Sequence, residues 1–176
     1  DDITFSSSSL LNKYGVLHSP ELESFIQDIT NKYSFESIKL KLEEIKKLKV
    51  LVIGETIIDQ YVFCEALGKS GKEPVLVLRD LETQEYLGGA LAIARHLSEF
   101  CSDVSVLSYL GEDYEYKSFI EENIEENIQL NLLGKSNSPT IVKRRFVDDI
   151  DSKKILGVYS INDNALSKSE ESQFIE

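Results

Sequence analysis

A chain of 176 residues, 41% of them hydrophobic, has enough apolar surface for a sizeable core and does not read as a disordered tail. Its 31 Asp plus Glu against 19 Lys plus Arg give a net charge of −12, which repels nucleic-acid phosphates and anionic membranes and argues against non-specific partners of either kind. Only Cys64, Cys101, His18 and His96 could serve a disulfide framework or a zinc site, and their spacing suits neither, so a reducing, cytoplasmic setting is expected. No apolar run approaches the ~18 residues of a membrane span, and no signal peptide opens the chain. Met is absent even from position 1, so Asp1 reads as the start of an excised, Met-substituted or processed chain.

Residues 1–17 carry Ser6-Ser7-Ser8-Ser9 followed by Leu10, Leu11 and Tyr14 at helical spacing, which predicts a loop capping a short helix. Ser19-Pro20 predicts a second helix, with Ser at the N-cap, Pro at the first position and Glu21 and Glu23 in the first turn. Leu22, Phe25, Ile26 and Ile29 form its apolar stripe, and Tyr33 closes it. Ser34 then caps a third helix with Ile38, Leu42 and Ile45 facing inward. Residues 18–48 thus read as a helical connector.

At Lys49 the pattern changes. Val50-Leu51-Val52-Ile53 is a continuous aliphatic run ending in Gly54, the pattern of a strand buried on both faces of a parallel sheet. Tyr61-Val62-Phe63-Cys64, Val75-Leu76-Val77-Leu78 and Glu85-Tyr86-Leu87 read as short strands of an inserted meander. Gly88-Gly89 opens a helix with Leu91, Ile93, Ala94, Leu97 and Phe100 inward. Val104 to Leu107 reads as a second buried strand and residues 116–124 as a helix, an alternation that predicts a layered α/β sheet. Residues 140–147 and 154–161 flank a polar turn as a hairpin, and residues 167–176 begin a further helix. Two or three parallel strands with an open edge make a poor independent domain, so the fold is expected to be incomplete.

Gly68-Lys69-Ser70 and Gly134-Lys135-Ser136 end like phosphate loops, but the Gly required five residues earlier is Phe63 in one and Gln129 in the other, so both read as plain turns. Asp59 stands just past the first parallel strand. There a carboxylate either accepts hydrogen bonds from sugar hydroxyls or caps its own turn, and the spacing supports both. Gly88-Gly89 would let a polyol approach the backbone and would leave N–H groups free at a helix N-terminus; an ordinary helix start reads the same way. In Lys143-Arg144-Arg145 the strand alternation places Lys143 and Arg145 on one face and Arg144 on the other. The pair is either a solvated face or a grip on a sugar phosphate.

These segments in this order, Val50 to Tyr61, Glu73-Pro74-Val75-Leu76-Val77 and Gly88-Gly89-Ala90-Leu91-Ala92-Ile93-Ala94, resemble the opening of the ribokinase-type (PfkB) carbohydrate kinases. The resemblance is strongest to bacterial heptose-phosphate kinases, including the bifunctional kinase/nucleotidylyltransferase type. It implies a partial ribokinase-like α/β three-layer sandwich over residues 49–176, with a small β lid at about 60–87 that covers the sugar and can serve as a homodimer contact. It also implies substrate contacts from Asp59, Gly88, Gly89, Lys143 and Arg145. The family usually carries Asn where this chain has Ala92 and Gly where it has Cys101, so part of the usual sugar contact is missing. Thr4 to Leu11 is similar to the closing Ser/Thr motif of cytidylyltransferase-type nucleotidylyltransferases, which implies nucleotide contacts from Ser6, Ser7 and Ser8 and makes residues 1–17 the tail of such a domain.

In that family ATP and Mg²⁺ supply the phosphoryl group, and a Gly-x-Gly-Asp turn supplies the base and the anion hole. None of the nine glycines here begins such a turn. The expectation is therefore a fragment of a sugar or sugar-phosphate kinase with no catalytic or metal-binding residue of its own. The alternatives are a non-catalytic sugar-binding or dimerisation module and an appendage of a nucleotidylyltransferase.

Overall fold

The computed structural model describes residues 19–176, so the expectations for 1–17, with Ser6, Ser7 and Ser8, lie outside the described residues. The chain divides into two compact units, Asp1–Glu44 and Ile45–Glu176. Helix α1, Pro20–Lys32, starts as its residues dictate: the Ser19 hydroxyl accepts from the Leu22 N–H at 3.3 Å, a cap generally worth about 1 kcal/mol. The Tyr33 N–H closes it on the Ile29 carbonyl at 2.8 Å. Helix α2, Phe35–Ile45, is capped by Ser34, whose hydroxyl accepts from the Ser37 N–H at 3.2 Å. Neither helix buries a residue: Leu22, Phe25 and Ile26 of the α1 stripe and the inward positions Ile38 and Leu42 stay exposed, Ile29 is half-buried, and Ile45 packs against the core of its own unit.

The second unit contains two sheets. Strands β1 (Lys49–Ile53), β4 (Asp103–Gly111) and β5 (Ile128–Lys135) form a parallel sheet in the order β1-β4-β5. Strands β2 (Thr56–Lys69), β3 (Leu76–Gly89), β6 (Ile141–Asp148) and β7 (Lys154–Ser160) form a mixed sheet in the order β3-β2-β6-β7. Helix α3, Ala90–Ser98, lays Leu91 and Ala94 into a core with Val104, Val106 and Leu110 of β4, Ile120 of α4 (Lys117–Asn123), and Ile58, Leu87 and Val142 of the mixed sheet. On the other face of β4, Tyr109 stacks on Phe174 of α5 (Lys168–Ile175) with ring centroids 5.0 Å apart. Helices therefore stand on both faces of the parallel sheet. The two sheets are tied by buried hydroxyls: Thr56 donates to Ser108 Oγ at 2.7 Å, and Ser108 donates to the Gly54 carbonyl at 2.6 Å.

Three expectations are corrected, and one strand is added. The meander is one long hairpin of two 14-residue strands, β2 and β3; Glu65, Arg79, Asp80 and Glu82 interrupt the apolar runs that would reveal it. Strand β5 went unread because Asn, Gln and Gly dilute its alternation, although Ile128, Leu130 and Leu132 keep period two. Strand β1 is not buried on both faces, since Leu51 is 56% and Ile53 59% exposed on the side away from Val52. Asp59 lies inside β2 rather than in a turn.

Candidate functional site

Residues directly opposite one another in a ladder project from the same face of the sheet. The register therefore lays out a row Tyr86, Asp59, Lys143 and Tyr159 across β3, β2, β6 and β7, and beside it a row Gln84, Tyr61, Arg145 and Gly157. The Arg145 guanidinium donates to Asp59 Oδ1, and the pair is mostly shielded, Arg145 being 17% and Asp59 25% exposed. That hydrogen bond outweighs the burial that opposes it and holds Arg145 even above its ordinary basic range. The guanidinium carbon lies 5.4 Å from the Tyr61 ring centroid and 6.0 Å from that of Tyr159, within cation–π reach of both. Lys143 reaches the Tyr159 ring at 5.9 Å.

Gly88 makes room for this arrangement: a Cβ there would lie 2.5 Å from Asp59 Oδ2. Gly89 does something else. It sits at φ +58, a Cβ on it would come within 2.3 Å of the Glu55 carbonyl, and the following Ala90 N–H already donates to that carbonyl at 2.9 Å. Of the N–H groups expected to be free at this helix start, that of Ala90 is taken by the β1–β2 connection. The fold thus brings Asp59, Gly88 and Arg145 into contact, sets Lys143 beside them, and turns Gly89 toward the β1–β2 connection.

The opposite face of the same strands carries a polar brace. Arg144 Nε donates to Gln60 Oε1 at 2.8 Å, and the Gln60 amide donates to Glu85 and to the Tyr116 hydroxyl, the latter at 3.0 Å. Tyr116 reaches it from the N-terminus of α4 with φ at +68, a conformation that costs a non-glycine residue on the order of 1 kcal/mol or more. This brace binds β2, β3, β6 and α4 beneath the Asp59 face. The two Gly-Lys-Ser segments are not plain turns: Gly68-Lys69 closes β2 and Gly134-Lys135 closes β5, so that in each only the serine leaves the strand. Lys135 Nζ donates to the carbonyls of Asn162 and Asn164 at 2.8 Å, Ser136 N–H donates to Glu170 at 2.7 Å, and Ser70 N–H closes the hairpin on Val75 at 2.9 Å.

Sequence reasoning missed the residues that surround Asp59. A hollow of about 440 Å³ is lined by Asp59, Tyr61, Phe63, Gln84 and Tyr86. Period two from Asp59 points to Tyr61 and Phe63, whereas Gln84, Tyr86 and Tyr159 join the face only through the pairing register. A second hollow, of about 320 Å³, opens beyond the carboxyl ends of β1 and β4 between Gly54, Glu55, Leu110, Pro139 and Phe174, the side of an α/β sheet on which ligands collect.

No protein-family model matches the sequence. The chain is 30% identical over 103 residues to a D-beta-D-heptose 7-phosphate kinase of Bordetella bronchiseptica, a stretch that covers 58% of this chain and 33% of that protein. It is 35% identical over 80 residues to the bifunctional protein HldE of Campylobacter jejuni subsp. doylei, covering 46% of this chain and 17% of that one. The chain thus spans about a third or less of the length of these curated relatives. Among solved structures it is similar to phosphofructokinase-2 of Escherichia coli in complex with fructose-6-phosphate, with a TM-score of 0.50 at 14% identity over 73% of this chain and 39% of that one. The chain has a ribokinase-like α/β fold, and over about half its length its sequence is related to the heptose-phosphate kinases, as the resemblance implied.

Proposed function

We propose that the chain is the sugar-binding part of an ATP-dependent carbohydrate kinase, taking a sugar or sugar phosphate on the face that carries Asp59. One observation supports this reading above the others: Asp59, Gly88 and Arg145, far apart in sequence, meet on one mostly shielded surface beside a hollow of sugar size. Asp59 accepts hydrogen bonds from ring hydroxyls, while Arg145 and Lys143 neutralise a phosphate at the far side of the row, Arg145 by a bidentate grip. Gly88 keeps the backbone low enough for the carboxylate to reach the substrate.

The described residues do not fit ATP or Mg²⁺. No group of three His, Cys, Asp or Glu among them could hold a metal, Lys69 and Lys135 are the last residues of β2 and β5 and open no helix, and no Gly-x-Gly-Asp turn occurs in the chain. In this reading the 176-residue chain binds sugar and transfers nothing by itself, and the phosphoryl chemistry belongs to a longer cytoplasmic protein. Residues 18–48 then act as a connector and residues 1–17, with Ser6 to Ser8, as the tail of a nucleotidylyltransferase domain. A second reading, a sugar-binding module that dimerises through its lid, is favoured by the open hairpin tip, where Leu67, Val75 and Leu76 stay exposed, and by Ala92 in place of Asn.

Calorimetric titration of the chain with D-β-D-heptose 7-phosphate tests the site. Asp59→Asn is expected to weaken binding tenfold or more, because a carboxylate hydrogen bond contributes about 1.5–3 kcal/mol. Unchanged affinity would remove Asp59 from the site.

A further inference from the structure

Among the residues lining the Asp59 hollow, Tyr86 stands apart because its ring is both exposed and fixed. It is 48% exposed, yet its hydroxyl donates to Gln84 Oε1 and its ring meets that of Tyr61 edge to face, with centroids 5.8 Å apart and planes at 77°. Tyr61 in turn has the Arg145 guanidinium 5.4 Å from its ring centroid, within cation–π reach. An exposed tyrosine on a strand ordinarily keeps its rotamer freedom, which binding would have to remove. Here the cost has been met by the fold. The register sets Tyr86 directly opposite Asp59, with Cβ atoms at the usual ~5 Å of a cross-strand pair. Hydroxyl groups held by Asp59 would therefore bring the C–H face of the same ring against the Tyr86 aromatic face.

A sugar presents these two surfaces, polar hydroxyls at the rim and a patch of aliphatic C–H on the ring, and a pocket that pairs a few polar groups with an aromatic wall matches both. From this geometry we infer that Tyr86 is a substrate-binding residue, the platform on which the sugar ring stacks. Tyr61 and Gln84 are positioning residues that hold the platform. The polarity of the site follows: the ring lies toward β3 over Tyr86, and the phosphate lies toward β6 at Lys143 and Arg145. The inference builds on the sugar-binding reading above and adds the orientation of the ligand and the residue that selects for a pyranose or furanose face.

Saturation-transfer NMR on the full chain with D-glucose 6-phosphate and D-ribose 5-phosphate as probes, and inorganic phosphate as control, tests it. The expected result is strongest transfer to the ring C–H protons of one face, with upfield ring-current shifts of those protons. Tyr86→Phe is expected to keep this signature and bind within about threefold of the parent, whereas Tyr86→Leu loses the upfield shifts and weakens binding about tenfold. Gln84→Ala, which removes the same hydrogen bond as Tyr86→Phe, is expected to stay within the same threefold range and to leave the pattern of shifts in place. If Asp59→Asn abolishes binding while Tyr86→Leu leaves affinity and shifts unchanged, the stacking inference is wrong and the sugar site stands. If the parent chain shows no transfer to any sugar phosphate, or only the binding that inorganic phosphate accounts for, both fall.

Discussion

The two ends of the β2–β3 hairpin share one ladder and have opposite fates. At its base, from Thr56 to Cys64, every second residue is buried, β6 pairs along the free edge of β2, and the Gln60 brace ties the strands to α4. At its tip, from Glu65 to Asp80, the side chains are largely exposed, and the cross-strand ion pair recorded there, Arg79 with Glu65 at 2.9 Å, is itself open to water. Such exposed pairs contribute at most about 1 kcal/mol. A hydrogen-bonded ladder alone does not make a region rigid. Rigidity comes where a third layer buries one face, and the candidate site lies at that end.

The contrast can be tested at graded strength. The largest effect is expected at the base. Gly89→Ala forces a side chain into a positive-φ position and against the Glu55 carbonyl, and should cost about 3 kcal/mol or more in urea denaturation. A cost under 1 kcal/mol would mean that the junction between β3 and α3 yields easily and the base is not the stiff end.

A segment of intermediate hold is α5, whose Glu170 carboxylate accepts from the Ser167 N–H at 2.6 Å and the Ser136 N–H at 2.7 Å. The Ser167 side chain, followed by the Ser136 N–H and then the Ser167 N–H, holds Glu170 down from 4.5 to about 2. A carboxylate with a lowered folded value contributes stability that is complete above the unfolded value and lost as pH falls through the folded one. The contribution should therefore fade between about pH 4.5 and pH 2. The denaturation midpoint of the parent should fall over that range more than that of Glu170→Gln, and equal slopes would show that α5 is not held by this carboxylate.

The smallest effect is expected at the tip. Leu76→Asp adds charge at a position that is 50% exposed and should change stability by less than about 0.5 kcal/mol. Sedimentation of the same variant separates the two readings of the tip, since a lid-mediated dimer would dissociate while a free edge would leave the mass unchanged.

Much of the fold is legible along the chain because its signals are local. Ser19, Ser34 and Ser167 cap the helices that their neighbours predict, Gly89 ends a strand and opens α3, and the aliphatic runs at Val50 and Val104 become parallel strands. The site was only half legible. Asp59, Gly88, Gly89, Lys143 and Arg145 could be named as candidates, but the turn reading of Asp59 failed and the packing of Gly89 against Glu55 was not foreseen. Where Gly89's neighbouring N–H points depends on Glu55, a residue from a different connection.

The amino-acid sequence by itself determined which residue types were available and which elements they would form, since capping and side-chain alternation act over a few residues. Tertiary structure decided that Arg145 answers Asp59 across 86 positions, that Tyr86 stands opposite the same carboxylate, and that one end of a continuous hairpin is buried while the other is bare. Those outcomes follow from strand order and register, which are set by how all the strands bury their apolar faces together and which no short window of sequence contains.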